Sequence, residues 1–342
     1  MSTLLSDLGA DLPLIAAPMA GGPSTPALVT AAARTGGLGF LAGGYKTAQA
    51  LAGQIHTTRS EGVAFGVNLF VPNPVPVRRE AYRRYAREVQ AAADRYGLTL
   101  PDEPIEDDDH WTDKIDLLTS ASVPWVSFTF GIPDPAVVSA LRRAGSAVLQ
   151  CVTSSDEARQ AAHAGVDALI VQAPAAGGHS ATLTPARPPA PVRLPDLIAA
   201  VRRVVALPVI ATGGITTATD VAAAVRAGAD AAMVGTILLR THESGASTPH
   251  KAALVDPAFA TTVVTSAFTG RPARALRNYF TDRYDPIAPV GYPALHHLTG
   301  PLRKAATAAA DTRLIHLWAG TGHRQARTEF AAHTFARLAD QL

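Results

Sequence analysis

Short apolar runs that alternate with alanine-rich helical patterns constrain this chain more than any other feature of its sequence. In chain order they read LPLIAAPM, AFGVNLF, PWVSFTFG, AVLQCV, DALIVQA, LPVIATGG and AAMVGTILL. A short unbroken apolar run suits a strand covered on both faces, the state of strands in a parallel sheet flanked by helices. Between residues 148 and 239 each run ends at a Gly, Ser or Thr cluster and leads into a helical pattern, with helices expected over 155–164 and 217–227. Repeated βα units around a parallel sheet follow, and no fixed-period repeat points to a solenoid.

Two stretches break this rhythm. Residues 72–120 open with PNPVPV, carry a charged helical pattern over about 78–95 and include the acidic PIEDDDHWTD. Residues 241–311 are mixed, with TSAFTGRPARALRNYF and a proline-rich patch near DPIAPVGYP. We read 1–71 and 121–240 as two parts of a barrel, the second holding a phosphate site. Residues 72–120 and 241–311 read as excursions that form a cap over the barrel mouth, where loops after strands build function. Residues 312–342 read as a return to the barrel, with Phe330, Phe335 and Leu338 packing against its shell. The acidic run reads as solvated surface, because no metal-ligand spacing accompanies it.

Composition narrows the partners. With 342 residues, 47% of them hydrophobic, the chain can bury one large core or two modest ones. Its 30 basic and 28 acidic residues leave a formal charge of +2 without a sustained basic stripe, so neither nucleic acid nor an anionic membrane is an expected partner. The single cysteine, Cys151, excludes a disulfide framework and a multi-cysteine metal site. No signal-peptide pattern opens the chain and no run suits a membrane span, so a cytoplasmic location is expected.

The segment LPVIATGGITTATDVAAAVRAGADAAMVGTILL carries the strongest chemical signal. One strand ends at Gly213-Gly214, a helical pattern follows, and a second strand ends at Gly235-Thr236. That arrangement builds a phosphate site from the last two βα loops of a barrel, where glycines let backbone amides approach an anion. The plainer alternative is a tight turn. Near the N-terminus, Ser24-Thr25-Pro26 offers a helix N-cap and an early proline, while GGLGFLAGG lies after that helix, which disfavours a Rossmann fingerprint. Met19 then stands either at the barrel mouth beneath a flat cofactor or in ordinary core. In VQAPAAGGHSATL, His179 follows a strand-end glycine pair, and an imidazole with an ordinary pKa near 6.5 serves as acid or base near neutrality.

Taken in order, APMAGGPSTPALVTAAARTGGLGFLAGGY, GVNLF, VSFTFGIP, VQAPAAGGHSATL, ATGGI, MVGT and LWAG resemble the nitronate monooxygenase family, formerly called 2-nitropropane dioxygenases, over nearly the whole chain. The resemblance implies a (β/α)8 TIM barrel with a smaller cap domain. It implies FMN as cofactor and oxidation of alkyl nitronates by O2 to a carbonyl compound and nitrite. Flavin contacts are then expected at Met19, Asn68, Gln172, Gly177, Gly178, Gly213, Gly214, Met233, Val234, Gly235 and Thr236. His179 becomes the catalytic residue, and Thr129, Tyr292 and His296 are expected in the substrate pocket, with no metal. The partners are a small nitro compound and O2, and a homodimer is compatible with this reading.

Three positions depart from the family pattern: Thr129 replaces a histidine, Ala175 an acidic residue and Gly300 a basic one. Loss of a histidine and a cation removes charged hydrogen-bond donors, each worth about 1.5–3 kcal/mol, so weak binding of small nitronates is expected. The alternative activity is NAD(P)H-dependent reduction of enoyl or quinone substrates through FMN on the same barrel. A flavin- or phosphate-binding protein with a decayed pocket is the non-enzymatic alternative.

Overall fold

The computed structural model describes residues 10–187 and 190–341. Its strands, in chain order, are β1 (Leu14–Ala16), β2 (Leu38–Ala42), β3 (Gly66–Phe70), β4 (Trp125–Thr129), β5 (Ala147–Val152), β6 (Ala168–Gln172), β7 (Gly178–His179), β8 (Val209–Thr212), β9 (Ala231–Val234), β10 (Thr262–Thr265) and β11 (Ala273–Leu276). Strands β1 to β6, β8 and β9 pair in parallel in that order. The ring closes where Leu14 and Ile15 of β1 pair with Ala232 and Met233 of β9. With helices between the strands, the chain is a (β/α)8 barrel. A second, antiparallel sheet has the order β10-β11-β7.

Local sequence explains the elements. Thr25 caps the helix Pro26–Arg34 by accepting the Leu28 N–H at 3.0 Å, and Pro26 enters at the first turn, where its missing N–H costs nothing. Thr217 and Asp220 form a reciprocal capping box on the helix Ala218–Arg226. Inside the barrel, Ile15, Phe40, Trp125, Leu149, Ile170 and Ile210 fill the lumen. Gly66 has no room for a side chain, because a Cβ there would lie 2.3 Å from the Phe40 ring. A second apolar layer joins the outer strand faces to the helices, and a third core lies in the cap, around Tyr82, Tyr85, Phe268, Phe280, Leu295 and Leu298.

Four details differ from the sequence reading. The helix Trp111–Ala121 lies inside the stretch read as cap, yet it buries Leu118 in the barrel's outer layer, so the excursion ends before it. Leu314, Ile315, Leu317, Ala319 and Ala326 belong to the cap core, so the return to the barrel begins only with the helix Ala331–Ala339. Phe335 and Leu338 of that helix are fully buried, but Phe330 is 56% exposed because it stands before the first turn, beside His242. The acidic run is not simply solvated. Asp109 pairs with the buried Lys114 at 2.8 Å and accepts the Tyr45 N–H at 2.9 Å, and Asp107 lies 2.9 Å from His297.

Phe335 fixes the last helix to the first βα unit, packing over Gly37, where a Cβ would meet its ring at 2.7 Å. Truncating a fully buried aromatic costs about 3–5 kcal/mol. Phe335→Ala should therefore lower the unfolding free energy by that amount in urea titration, whereas Phe330→Ala should change it by less than about 0.5 kcal/mol.

Candidate active site

The C-terminal ends of the barrel strands open into a cavity of about 310 Å³. Met19 follows β1, Asn68 belongs to β3, Thr129 ends β4 with Phe130 just after it, and Gln172 ends β6. The loops after β6, β8 and β9 bring Gly177, Gly178, His179, Gly213, Gly214, Gly235 and Thr236, with Met233 and Val234 at the end of β9 itself. Tyr45 and, from the cap, His250, Ile315, His316 and Trp318 complete the lining.

At one end the wall is backbone. Among the described residues, the N–H groups of Gly214, Gly235 and Thr236 donate to no acceptor of the chain. Gly213 and Gly214 adopt φ of 104° and 83°, which a side chain would strain. The long helix after β8 does not supply its own N-terminus to an anion, because Asp220 already accepts the Thr216 and Thr217 N–H groups at 2.9 Å. The short turn Thr236–Leu238 opens at Gly235 and leaves its first donor free. Free amides, small residues and the absence of a competing carboxylate beside Gly235 fit a phosphate.

This end is sealed by a close crossing of the chain. A Cβ on Gly177 would lie 2.5 Å from Ala319 and Gly320 backbone atoms, and one on Gly320 would lie 2.7 Å from the Ala175 oxygen. Gly320 N–H donates to Thr236 Oγ1 at 2.9 Å and Thr321 N–H to the Ala175 carbonyl at 3.1 Å. Glycines at both positions let the LWAG segment lie against the loop after β6.

The middle of the cavity is set by amides and packing. Asn68 Nδ2 donates to Ser127 Oγ at 2.9 Å and to Thr129 Oγ1 at 3.0 Å, and its Oδ1 has no donor among the described residues. Gln172 spends both ends of its amide on the loop that follows it: Nε2 reaches the His179 carbonyl at 3.2 Å and Oε1 accepts the Ala181 N–H at 2.8 Å. Met19 touches both the barrel and cap cores. Phe130 holds φ of 82°, rare for a bulky residue, and Asn73 fixes it by donating to its carbonyl at 2.6 Å.

His179 lies on β7, opposite Ala273 of β11. Its Nε2 is 2.9 Å from Thr269 Oγ1, and its ring is flanked by Trp318 and Phe130 at 5.3 and 5.5 Å. Burial, then the charges of Arg271 and Arg303, lower its pKa to about 3, so the imidazole is neutral at pH 7. The loop behind it is tied to the barrel by Glu157, whose carboxylate accepts from Thr182 Oγ1, Leu183 N–H and Thr153 Oγ1, each at 2.8 Å.

Sequence reading missed the two guanidinium groups. Arg271 is fully buried, donates to the carbonyls of Thr182 and Phe130 and lies 4.0 Å over the Phe130 ring. Arg303 donates to the His296 carbonyl at 2.8 Å and to Thr299 Oγ1 at 3.0 Å. Neither pairs with a carboxylate among the described residues, and burial lowers both only to about 10, so both stay charged at neutral pH. Gly300, where the family pattern has a cation, sits beside the Arg303 guanidinium. Neither arginine stands on the cavity wall, but both act electrostatically on His179, which does. Tyr292 and His296 are not on the cavity wall. Tyr45 stands in front, its ring stacked on His296 at 4.1 Å, and Tyr292 packs behind Phe130 at 5.4 Å.

Comparison with known proteins agrees with this geometry. The family model described as "Nitronate monooxygenase" matches residues 2–337. A curated relative from Staphylococcus aureus (strain Newman), "Probable nitronate monooxygenase", is 33% identical over 98% of the chain and 95% of its own length. A crystal structure of nitroalkane oxidase from Streptomyces ansochromogenes is 45% identical, with TM-score 0.94 over 99% of this chain and 98% of that one. FabK from Thermotoga maritima is 25% identical, with TM-score 0.76 over 100% and 96% of the two chains. A parallel barrel with His179 on its C-terminal rim, matched from end to end in sequence and in shape, makes this chain a member of the nitronate monooxygenase family of oxidoreductases.

Proposed function

We propose that the protein binds FMN non-covalently and oxidises an alkyl nitronate, or the nitroalkane that gives rise to it, with O2 to a carbonyl compound and nitrite. One observation carries the reading: a neutral imidazole, His179, lines the cavity within the field of two buried guanidiniums that pair with no carboxylate among the described residues. Such a site favours an anion and penalises imidazolium. When bound, FMN supplies the electron transfer between the nitro compound and O2.

The chain's residues divide the work. Amides of Gly214, Gly235 and Thr236 hold the phosphate, while Met19, Asn68 and Gln172 border the space for the ring. His179 takes the proton from the carbon next to the nitro group of a neutral substrate. The fields of Arg271 and Arg303 lower the energy of the resulting anion, and a preformed nitronate uses the same fields without proton transfer. This charge supports nitronate binding despite Thr129 and Gly300, against the weak binding expected from those two positions alone.

The phosphate assignment is tested at Gly235, whose φ of −124° admits a side chain and whose Cβ would make ordinary contacts of 3.5 Å with Ala17 and Met19. Gly235→Asp should lose at least about tenfold in FMN affinity, about 1.4 kcal/mol, with the far-ultraviolet circular dichroism unchanged; undiminished affinity would place the phosphate elsewhere.

His179→Asn should lower kcat/KM on a neutral nitroalkane by about 10²–10⁴, the usual share of a general base, and much less on preformed nitronate. Equal losses on both forms at constant flavin content would mean that His179 holds substrate rather than taking a proton.

A base works only while unprotonated, so activity falls as pH drops through its pKa. Because burial and the two arginines depress that pKa, the acid limb of kcat/KM on nitroalkane should lie clearly below pH 6.5. A limb at or above 6.5 would contradict the dry, cationic surroundings assigned to His179.

A further inference from the structure

The two nitrogens of His179 have different neighbours. Nε2 lies 2.9 Å from Thr269 Oγ1, whereas Nδ1 has no hydrogen-bond partner among the described residues and is the ring nitrogen left open to the cavity. Thr269 has a single hydroxyl proton. Its other hydrogen-bond neighbour is the Arg271 carbonyl at 3.3 Å, and a carbonyl can only accept. If the hydroxyl donates to that carbonyl, its lone pair faces Nε2, and Nε2 has to carry the imidazole proton.

We propose that Thr269 is a positioning residue that fixes neutral His179 as its Nε2–H tautomer, so that Nδ1 presents the lone pair to the substrate. The proposal rests on the reading of His179 as a base but makes a separate claim about which nitrogen does the work. The opposite arrangement would turn an N–H toward the cavity, suited to hydrogen-bonding a nitro oxygen and useless for taking a proton.

The surroundings hold Thr269 in place. It is 1% exposed, in the turn between β10 and β11, and its N–H reaches the Ser266 carbonyl at 3.3 Å. Gly270, at φ of 76°, donates to the same carbonyl at 2.7 Å, and a Cβ there would lie 2.3 Å from the Gly291 oxygen. Pairing of β7 with β11 then fixes His179 opposite Ala273, four residues on from Thr269. The hydroxyl and the imidazole therefore meet through one small sheet.

Long-range proton–nitrogen correlation spectra of the holoenzyme with 15N-labelled histidine test this directly, with His179 assigned by its loss in His179→Asn. At pH 7 the wild-type protein should show a protonated Nε2 and an unprotonated Nδ1. Thr269→Val should move both nitrogens toward an average of the two tautomers and lower kcat/KM on nitroalkane by roughly 10–100-fold, the usual cost of removing a group that orients a functional imidazole. Thr269→Ser should restore both. A wild-type proton on Nδ1, or nitrogen shifts that Thr269→Val leaves unchanged, would overturn the proposal. An Nε2–H tautomer found together with full nitroalkane activity in His179→Asn would uphold it and remove the base reading instead.

Discussion

The pairing of β7 with β11 is the constraint on which the candidate site depends. It joins Gly178 and His179 to Arg274 and Ala273, and so stitches a loop of the barrel rim to the sheet of the cap. Beside it, the loop after β6 is held by Gln172, Glu157, Arg271 on the Thr182 carbonyl, Arg274 on the Pro174 carbonyl and the crossing of LWAG behind Gly177. With it, the barrel's outer layer and the cap core place one imidazole between them. A site on strand and sheet backbone keeps its geometry better than one on a free loop, which suits chemistry that depends on where a single proton goes.

Electrostatics follow from that placement. The packed cap buries His179 and holds Arg271 and Arg303 near it, neither of them in an ion pair with a carboxylate among the described residues. Burying unpaired charge is costly, and here two such groups act on the one imidazole that lines the cavity. The same fields weaken His179 as a base and strengthen the cavity as an anion site, so proton abstraction from a nitroalkane and capture of a preformed nitronate make opposite demands on the arginines. Tyr45 adds a wall between the cavity and His296, and Asp109, by accepting its N–H, links that wall to the acidic run of the cap.

Much of this was legible in the sequence, for local reasons. Each quoted apolar run contains a barrel strand, because a strand buried on both faces leaves an unbroken hydrophobic signature. The strand Leu38–Ala42 is masked within GGLGFLAGG, where Gly39 interrupts the apolar run; Gly39 is needed because a Cβ there would lie 2.7 Å from Val29 Cα. The position of His179 was readable from the glycine pair before it. Arg271 and Arg303 were not, since nothing near them in the chain marks a cavity and only long-range packing brings their charges to bear on His179. The same holds for Tyr292 and His296, placed in the pocket by resemblance and found behind Phe130 and Tyr45 respectively, and for Trp111–Ala121, whose membership of the barrel is decided by what Leu118 packs against.

The central claim is that this site passes electrons from a nitronate to a bound flavin. Anaerobic mixing of the purified holoprotein with a set of alkyl nitronates, followed by flavin absorbance, measures that transfer before O2 enters. Bleaching by a nitronate in the absence of any nicotinamide is the predicted result. A flavin that stays oxidised with every nitronate and bleaches only with NAD(P)H would contradict the account and favour a reductase on the same barrel.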